Sequence, residues 1–212
     1  MITPAKKMNI LAIGAHPDDI EIGCGASLAK FAANGHATYL FIATDGAAGG
    51  DPQIRRNEQA KAGEILGVQE IFWGGYIDTG IVLDKHSITN VENTIHRIKP
   101  DMIFINYSDD THQDHRNIAN ITISATRYVR NVLFYETPTT QGLYPNVFVD
   151  IGERYLTIKL QSLKAHASQI DRTNIANLSI LQVAESSAHF RGVQARVAFA
   201  EAFQSLRLFI NI

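Results

Sequence analysis

Met8-Asn-Ile-Leu-Ala-Ile-Gly-Ala-His-Pro-Asp-Asp19 is the stretch that decides the fold. Residues 8–15 are nearly all apolar and do not alternate, the pattern of a strand buried on both faces of a sheet. The run breaks at His16-Pro17, and two aspartates follow. A second run, Asp101-Met-Ile-Phe-Ile-Asn-Tyr107, leads into His112-Gln-Asp-His115. Two strands therefore end in clusters of histidine and aspartate. Such a concentration of ligating side chains at two strand ends points to a metal or to a reaction that uses it.

Working outward, the chain alternates strand and helix. Strands are expected over 8–15, 37–44, 70–73, 101–107, 132–136 and 147–151. Helices are expected over 25–34, 53–66, 87–98, 115–128, 154–168 and 190–205, with Gly35 and Gly67 closing the first two and Ser87 or Thr89 capping the third. Phe199 and Phe203, four apart on the last helix, read as core. The expected fold class is α/β: a Rossmann-like, mostly parallel sheet with helices on both faces, in a single domain over 1–212. In such sheets ligands bind at the carboxyl ends of the strands, where strand order reverses. Both His/Asp clusters fall at those ends. A dinucleotide site does not fit, because Gly14, Gly23 and Gly25 lack the Gly-x-Gly-x-x-Gly spacing and two carboxylates fill the turn.

The formal net charge of −2 leaves no basic footprint for nucleic acid or an anionic membrane. No apolar stretch approaches the length of a membrane span, and the first run is too short for a signal peptide, so a cytoplasmic location is expected. The single cysteine, Cys24, excludes an internal disulfide and a Cys-rich zinc site; it reads as a small buried residue.

His16 and Asp19 are three apart, as are His112 and His115, so each cluster can offer two groups to one point. A catalytic zinc takes about three protein ligands and keeps a further position open. That leaves a carboxylate and an imidazole for proton transfer, the parts needed for metal-assisted amide hydrolysis. Spacing alone does not say which histidine binds metal.

The chain resembles the PIG-L/LmbE-type zinc-dependent N-deacetylases, which act mainly on N-acetylglucosamine derivatives. Ala15-His-Pro-Asp-Asp-Ile-Glu21 with Gly23-Cys-Gly25 matches their first signature and His112-Gln-Asp-His115 their second. Thr44-Asp-Gly46, Arg55-x-x-Glu58, Tyr76-Ile-Asp-Thr-Gly80 and His166-Ala-Ser-Gln169 match more weakly. The resemblance implies that His16, Asp19 and His115 hold Zn2+, with Fe2+ as the other metal such a ligand set accepts. It implies Asp18 as general base, His112 as a protonated stabiliser of the oxyanion, and Asp114 as the acceptor of a hydrogen bond from His112 that raises its pKa. It places substrate contacts at Arg55 and Asp78. The activity implied is removal of an N-acetyl group from an amino sugar or glycoconjugate, a small-molecule partner. The alternatives are a related amidase cleaving a larger acyl or thiol-conjugate amide, and a metal-binding protein without catalysis. One departure is Asp109-Asp110-Thr111, where some members have a tyrosine that aids the oxyanion. Those acidic residues are read as favouring an amine or hydroxyl-rich ligand. Oligomeric state is not legible.

Overall fold

A computed structural model describes residues 7–210. One seven-stranded sheet runs in the order β3-β2-β1-β4-β5-β7-β6. Its strands are β1 (Asn9–Gly14), β2 (Ala37–Thr44), β3 (Glu70–Tyr76), β4 (Met102–Asn106), β5 (Val132–Tyr135), β6 (Val147–Asp150) and β7 (Ala200–Arg207). The first five pair in parallel, and β7 runs antiparallel to both β5 and β6. The helices are α1 (Asp19–Ala33), α2 (Pro52–Leu66), α3 (Lys85–Ile98), α4 (Gln113–Ala125), α5 (Gly152–Ala165) and α6 (Ile180–Ala195).

The unbroken apolar character of β1 has a direct structural cause. Leu11 and Ile13 face a core shared with Val91 and Ile95 of α3 and Ile118 and Ile121 of α4. Ile10 and Ala12 face the opposite core, with Ile20, Cys24 and Leu28 of α1. A further cluster joins Ala26 of α1 to Leu156 of α5 and Ala188 of α6. Helices thus cover both faces, as expected. Strand order reverses at β1, which has β2 on one side and β4 on the other. Their carboxyl ends carry residues 15–19 and 107–115, which is the crevice where such sheets bind ligands.

Two features fix the turn after β1. Tyr135 lies under it, its hydroxyl 2.9 Å from the Ile13 carbonyl and 3.0 Å from Asn106 Oδ1. Gly23 makes room for that ring: a Cβ there would stand 2.1 Å from Tyr135 Cδ2. Helix α1 is also broken at Cys24 (φ −146°, ψ 16°). The break creates a second helical start, whose orphan Ala26 and Ser27 N–H groups donate to the two carboxylate oxygens of Glu201 on β7 at 3.0 and 2.7 Å. Lys159 of α5 pairs with the same carboxylate at 2.7 Å, both side chains being almost wholly buried.

The structure corrects the reading of the chain's end. Residues 180–195 form the last helix, not 190–205, and Phe199 and Phe203 do not share a helix face. Phe203 is fully buried, but on a strand inserted between β5 and β6. Helix α1 also begins at Asp19, inside the first motif, rather than at residue 25. Cys24 is a free, buried thiol, and burial pushes its pKa up.

Candidate active site

The turn after β1 and the start of α4 bring His16, Asp18, Asp19, His112 and His115 to the floor of one cavity of about 890 Å3. Asp19 is the hinge of the set. Its Oδ2 accepts the N–H groups of Ala15 and His16, both at 3.0 Å, which ties the carboxylate to its own turn. Its Oδ1 lies 3.2 Å from His115 Nε2, and Oδ2 lies 3.6 Å from His16 Nδ1.

The outer nitrogens of both histidines are held by carboxylates. His16 Nε2 is 3.0 Å from Asp78 Oδ1 and 3.3 Å from Asp114 Oδ2. His115 Nδ1 is 3.1 Å from Asp110 Oδ2. Carboxylates in this position fix ring tautomer and orientation and strengthen the inner nitrogen as a ligand. Asp19 thus stands between His16 Nδ1 and His115 Nε2, and two histidines with one aspartate are a donor set that fits zinc or ferrous iron. One ring nitrogen from each of His16, His112 and His115 lies within 4.8 Å of the other two. A second such group, His16, Asp78 and Asp114, is the support behind His16 rather than another metal site. Asp78 Oδ2 already takes the Ala48 N–H at 2.8 Å, and Asp114 takes those of Thr79 at 2.7 Å and Ile81 at 3.3 Å.

Electrostatics follow this arrangement. Burial by itself would lower His115, but Asp19 and Asp110 hold it at about 9 in the metal-free site. His16 is likewise held well above its ordinary value, against burial, by Asp114, Asp19 and Asp78. Burial would raise Asp78 and Asp110, yet their histidine and backbone hydrogen bonds hold each at about 2.

Asp18 caps α1 in a left-handed conformation (φ 95°) that a non-glycine residue adopts only when its surroundings enforce it. Its carboxyl is a quarter exposed on the cavity. Burial raises its pKa to about 6 despite the opposing pull of His166 and Arg55. That places it near neutrality, as a general base requires.

Three expectations change here. Asp114 does not accept a hydrogen bond from His112: its carboxylate goes to His16, and its backbone N–H donates to His112 Nδ1 at 3.2 Å. Nδ1 is therefore unprotonated and the ring proton sits on Nε2. Burial lowers the His112 pKa, and the neighbouring His16 and His115 lower it further, which works against the imidazolium form. Arg55 is not a free clamp for sugar hydroxyls. Its guanidinium is buried and donates to the carbonyls of Pro17 at 2.8 Å and Gly46 at 2.9 Å, with Asp18 Oδ2 at 3.5 Å. Gly46 (φ 70°) admits it, since a Cβ there would stand 2.0 Å from the arginine Nη1. Asp78 is likewise engaged by His16 through Oδ1 and by the Ala48 N–H through Oδ2, while it also lines the cavity.

Asp110 is the functional residue the sequence reading missed. Its Oδ2 also takes the Thr137 and Thr140 hydroxyls at 3.1 and 3.0 Å, and its Oδ1 takes the His112 N–H at 2.8 Å. It supports His115 rather than attracting a polar ligand. Its spacing, two residues before His112, is the one signal that could have found it. His166 closes α5 beneath the site. It is buried 3.6 Å from Glu21 Oε2, with neither ring nitrogen hydrogen-bonded.

The α/β sheet thus gathers His16, Asp19 and His115 at its switch point, beside the Asp18 carboxylate and the His112 imidazole. The family model described as "PIG-L: GlcNAc-PI de-N-acetylase" matches residues 11–126, and the chain belongs to that family. It is 39% identical over 171 residues to the uncharacterized deacetylase YaiS of Escherichia coli K12, covering 77% of this chain and 92% of that one. It is 26% identical over 186 residues to the diacetylchitobiose deacetylase of Thermococcus kodakarensis, covering 76% and 69%. Its fold superposes on that of the conserved protein TT1542 from Thermus thermophilus with a TM-score of 0.86, 24% identity and 97% of each chain covered. GalB, a 4-carboxy-2-hydroxymuconate hydratase of Pseudomonas putida KT2440, superposes with a TM-score of 0.82 at 21% identity over 97% and 99%. The fold alone therefore does not choose the reaction, and the side chains of the site must. Among the described residues no helix is long and apolar enough to cross a membrane.

Proposed function

We propose that this chain, as one domain, is a zinc-dependent N-deacetylase that removes the acetyl group from an N-acetylglucosamine-type amino sugar, releasing acetate and a free amine. The observation that carries the reading is the place of Asp19 between the two histidines and beside Asp18, its Oδ2 3.6 Å from His16 Nδ1 and its Oδ1 3.2 Å from His115 Nε2, with the far nitrogen of each ring against a carboxylate. The diacetylchitobiose deacetylase relative supports the amino-sugar class.

His16, Asp19 and His115 would hold the zinc. When bound, it would polarise the amide carbonyl and acidify a neighbouring water. Asp18, with a pKa near 6 in the metal-free site, takes a proton from the attacking water and returns it to the leaving amine. His112 donates its Nε2–H to the carbonyl oxygen as negative charge develops there. A neutral imidazole suffices, since what the oxygen needs is a fixed donor. Asp78 and Asp114 orient His16, and Asp110 orients His115. Arg55 keeps the Pro17-Asp18 peptide in its strained conformation by binding the Pro17 carbonyl.

The test is acetate release from N-acetylglucosamine and diacetylchitobiose by zinc-loaded protein, with and without chelator, and by Asp18→Asn. Chelator-sensitive release that falls about 10²–10⁴-fold in Asp18→Asn, at unchanged zinc content, is the expected result. Reconstitution with ferrous iron beside zinc ranks the metals. Undiminished turnover in Asp18→Asn would remove the base assignment.

A further inference from the structure

The cavity is larger than its catalytic floor requires. Its volume, about 890 Å3, lies near the top of the range of pockets that enclose drug-sized ligands. The floor is polar, but part of the remaining lining, called the wall below, is not. Ile22 of α1, Pro138 beyond β5, Ile175 and Ala176 of the segment before α6, and Ile180 and Val183 of α6 line it together. Ile22 follows Asp18 by one helical turn, so this wall begins beside the reacting groups. Ile180 and Val183 are three apart and share a helix face. Ile175 stands at the rim, 60% exposed, an apolar side chain with nothing over it.

The wall is built into the fold. Ser179 and Gln182 form a reciprocal capping box that sets the start of α6. Arg191, farther along α6, forms an ion pair with Glu136, its Nε 2.7 Å from Glu136 Oε1. Glu136 sits between β5 and the wall residue Pro138, so both sides of the wall are tied to one point. Polar side chains of the same segment, Asp171, Arg172 and Asn174, line the cavity near this rim. A bare N-acetylated sugar offers hydroxyls, which have no partners on Ile22, Ile180 and Val183.

We infer that the substrate carries an alkyl or aryl group of several carbons that packs on the Ile22–Ile175–Ile180–Val183 wall. This rests on the amide hydrolysis of an amino sugar proposed above and extends it to the substrate's apolar part; were that part the N-acyl chain, the group removed would be a larger acyl in place of acetyl. The group has two chemical sources, an aglycone on the sugar or a long N-acyl chain, and the experiment separates them. Turnover is measured for methyl N-acetylglucosaminide, octyl N-acetylglucosaminide and N-octanoylglucosamine, below the micellar range. Each methylene reaching the wall is worth about fourfold, so four of them raise kcat/KM about 10²-fold over the methyl glycoside. A rise with the octyl glycoside assigns the aglycone; a rise with the octanoyl amide assigns the acyl chain. In Ile175→Asp and Val183→Asp the octyl-to-methyl ratio falls at least tenfold. Equal kcat/KM for all three compounds, or a ratio unmoved in both variants, overturns the wall and leaves the deacetylase standing. Calorimetric binding of the octyl glycoside gives a readout independent of chemistry. Binding that is tighter than for the methyl glycoside and weakened in Ile175→Asp, with no product from any compound, keeps the wall and overturns the deacetylase. No such preference in binding for either the octyl glycoside or N-octanoylglucosamine overturns the wall whatever the turnover.

Discussion

Replacing Asp110 with asparagine tests whether the carboxylate behind His115 governs the metal site. The carboxylate accepts four hydrogen bonds: from His115 Nδ1, the Thr137 and Thr140 hydroxyls, and the His112 N–H. An amide has one oxygen to offer. Placed toward the His112 N–H, that oxygen leaves an NH2 facing His115 Nδ1–H, and the ring must move its proton to Nε2, the nitrogen a metal needs. Placed toward His115, it leaves the NH2 against the His112 N–H, a donor facing a donor. Either arrangement lowers the population of the competent tautomer. Losing support of this kind costs about 10–100-fold in metal affinity, or ~1.4–2.7 kcal/mol. The assay is zinc titration against a competing fluorescent chelator, with circular dichroism to verify folding. A folded Asp110→Asn variant whose zinc Kd lies within twofold of the parent would refute the reasoning, because His115 would then be oriented by something else.

Three other outcomes follow from the same geometry. In the metal-free chain His115 is held at about 9 against an ordinary 6.5, so its contribution, on the order of 3 kcal/mol, is complete below pH 6.5 and disappears as pH rises through 9. Thermal melts should show the metal-free protein losing stability between pH 7 and 9.5, and zinc affinity should rise with pH up to about 9, because binding must displace the His115 proton; a flat affinity profile would count against ligation by this histidine. Lys159→Met leaves the buried Glu201 charge unpaired and costs about 3–5 kcal/mol in urea unfolding. Adding Glu201→Leu should not restore it, because the Ala26 and Ser27 N–H groups then lose their acceptor. Gly23→Ala drives a methyl into the Tyr135 ring and should cost about 3 kcal/mol, at the upper end of overpacking, read as a lowered melting temperature; an unchanged value would mean the turn can shift without strain.

Much of this was legible because the parallel half of the sheet follows simple rules. β1, β2 and β4 are buried on both faces, and their unbroken apolar runs announce it. The ligand turn and the His112–His115 turn were equally visible, since ligating residues at strand ends have few other uses. The C-terminal third was harder. Ala200-Glu-Ala-Phe-Gln-Ser-Leu-Arg207 favours helix by composition, yet pairing on both edges with β5 and β6 makes it a strand. The capping box Ser179-x-x-Gln182 was a local signal for α6 and outranks the composition of residues 196–205. Gly23-Cys-Gly25 looked like loop because its residues are poor helix formers; the turn before it is packed on Tyr135 and the helix after it is held by Glu201, both far away in sequence. The partners of Asp78, Asp114 and Arg55 were not legible for a related reason. A carboxylate's spacing says it is near a site, but only the path of the β3–α3 loop shows that it meets His16 first.

The break in α1 bears on how the protein comes to be made. The body of the helix that carries Asp19 is fastened by Glu201, 174 and 175 residues from its partners, and Glu201 belongs to a strand that must slip between two others. Contacts of such sequence separation form late, because the chain between them must be ordered first. A nascent chain can emerge with His16, Asp18, Asp19, His112 and His115 all synthesised and still lack a finished site. Removing the last strand would leave every ligand in place and unfasten the helix that aims one of them. Metal capture should therefore report completion of the whole sheet, and zinc supplied during refolding should bind in the slowest phase rather than the first.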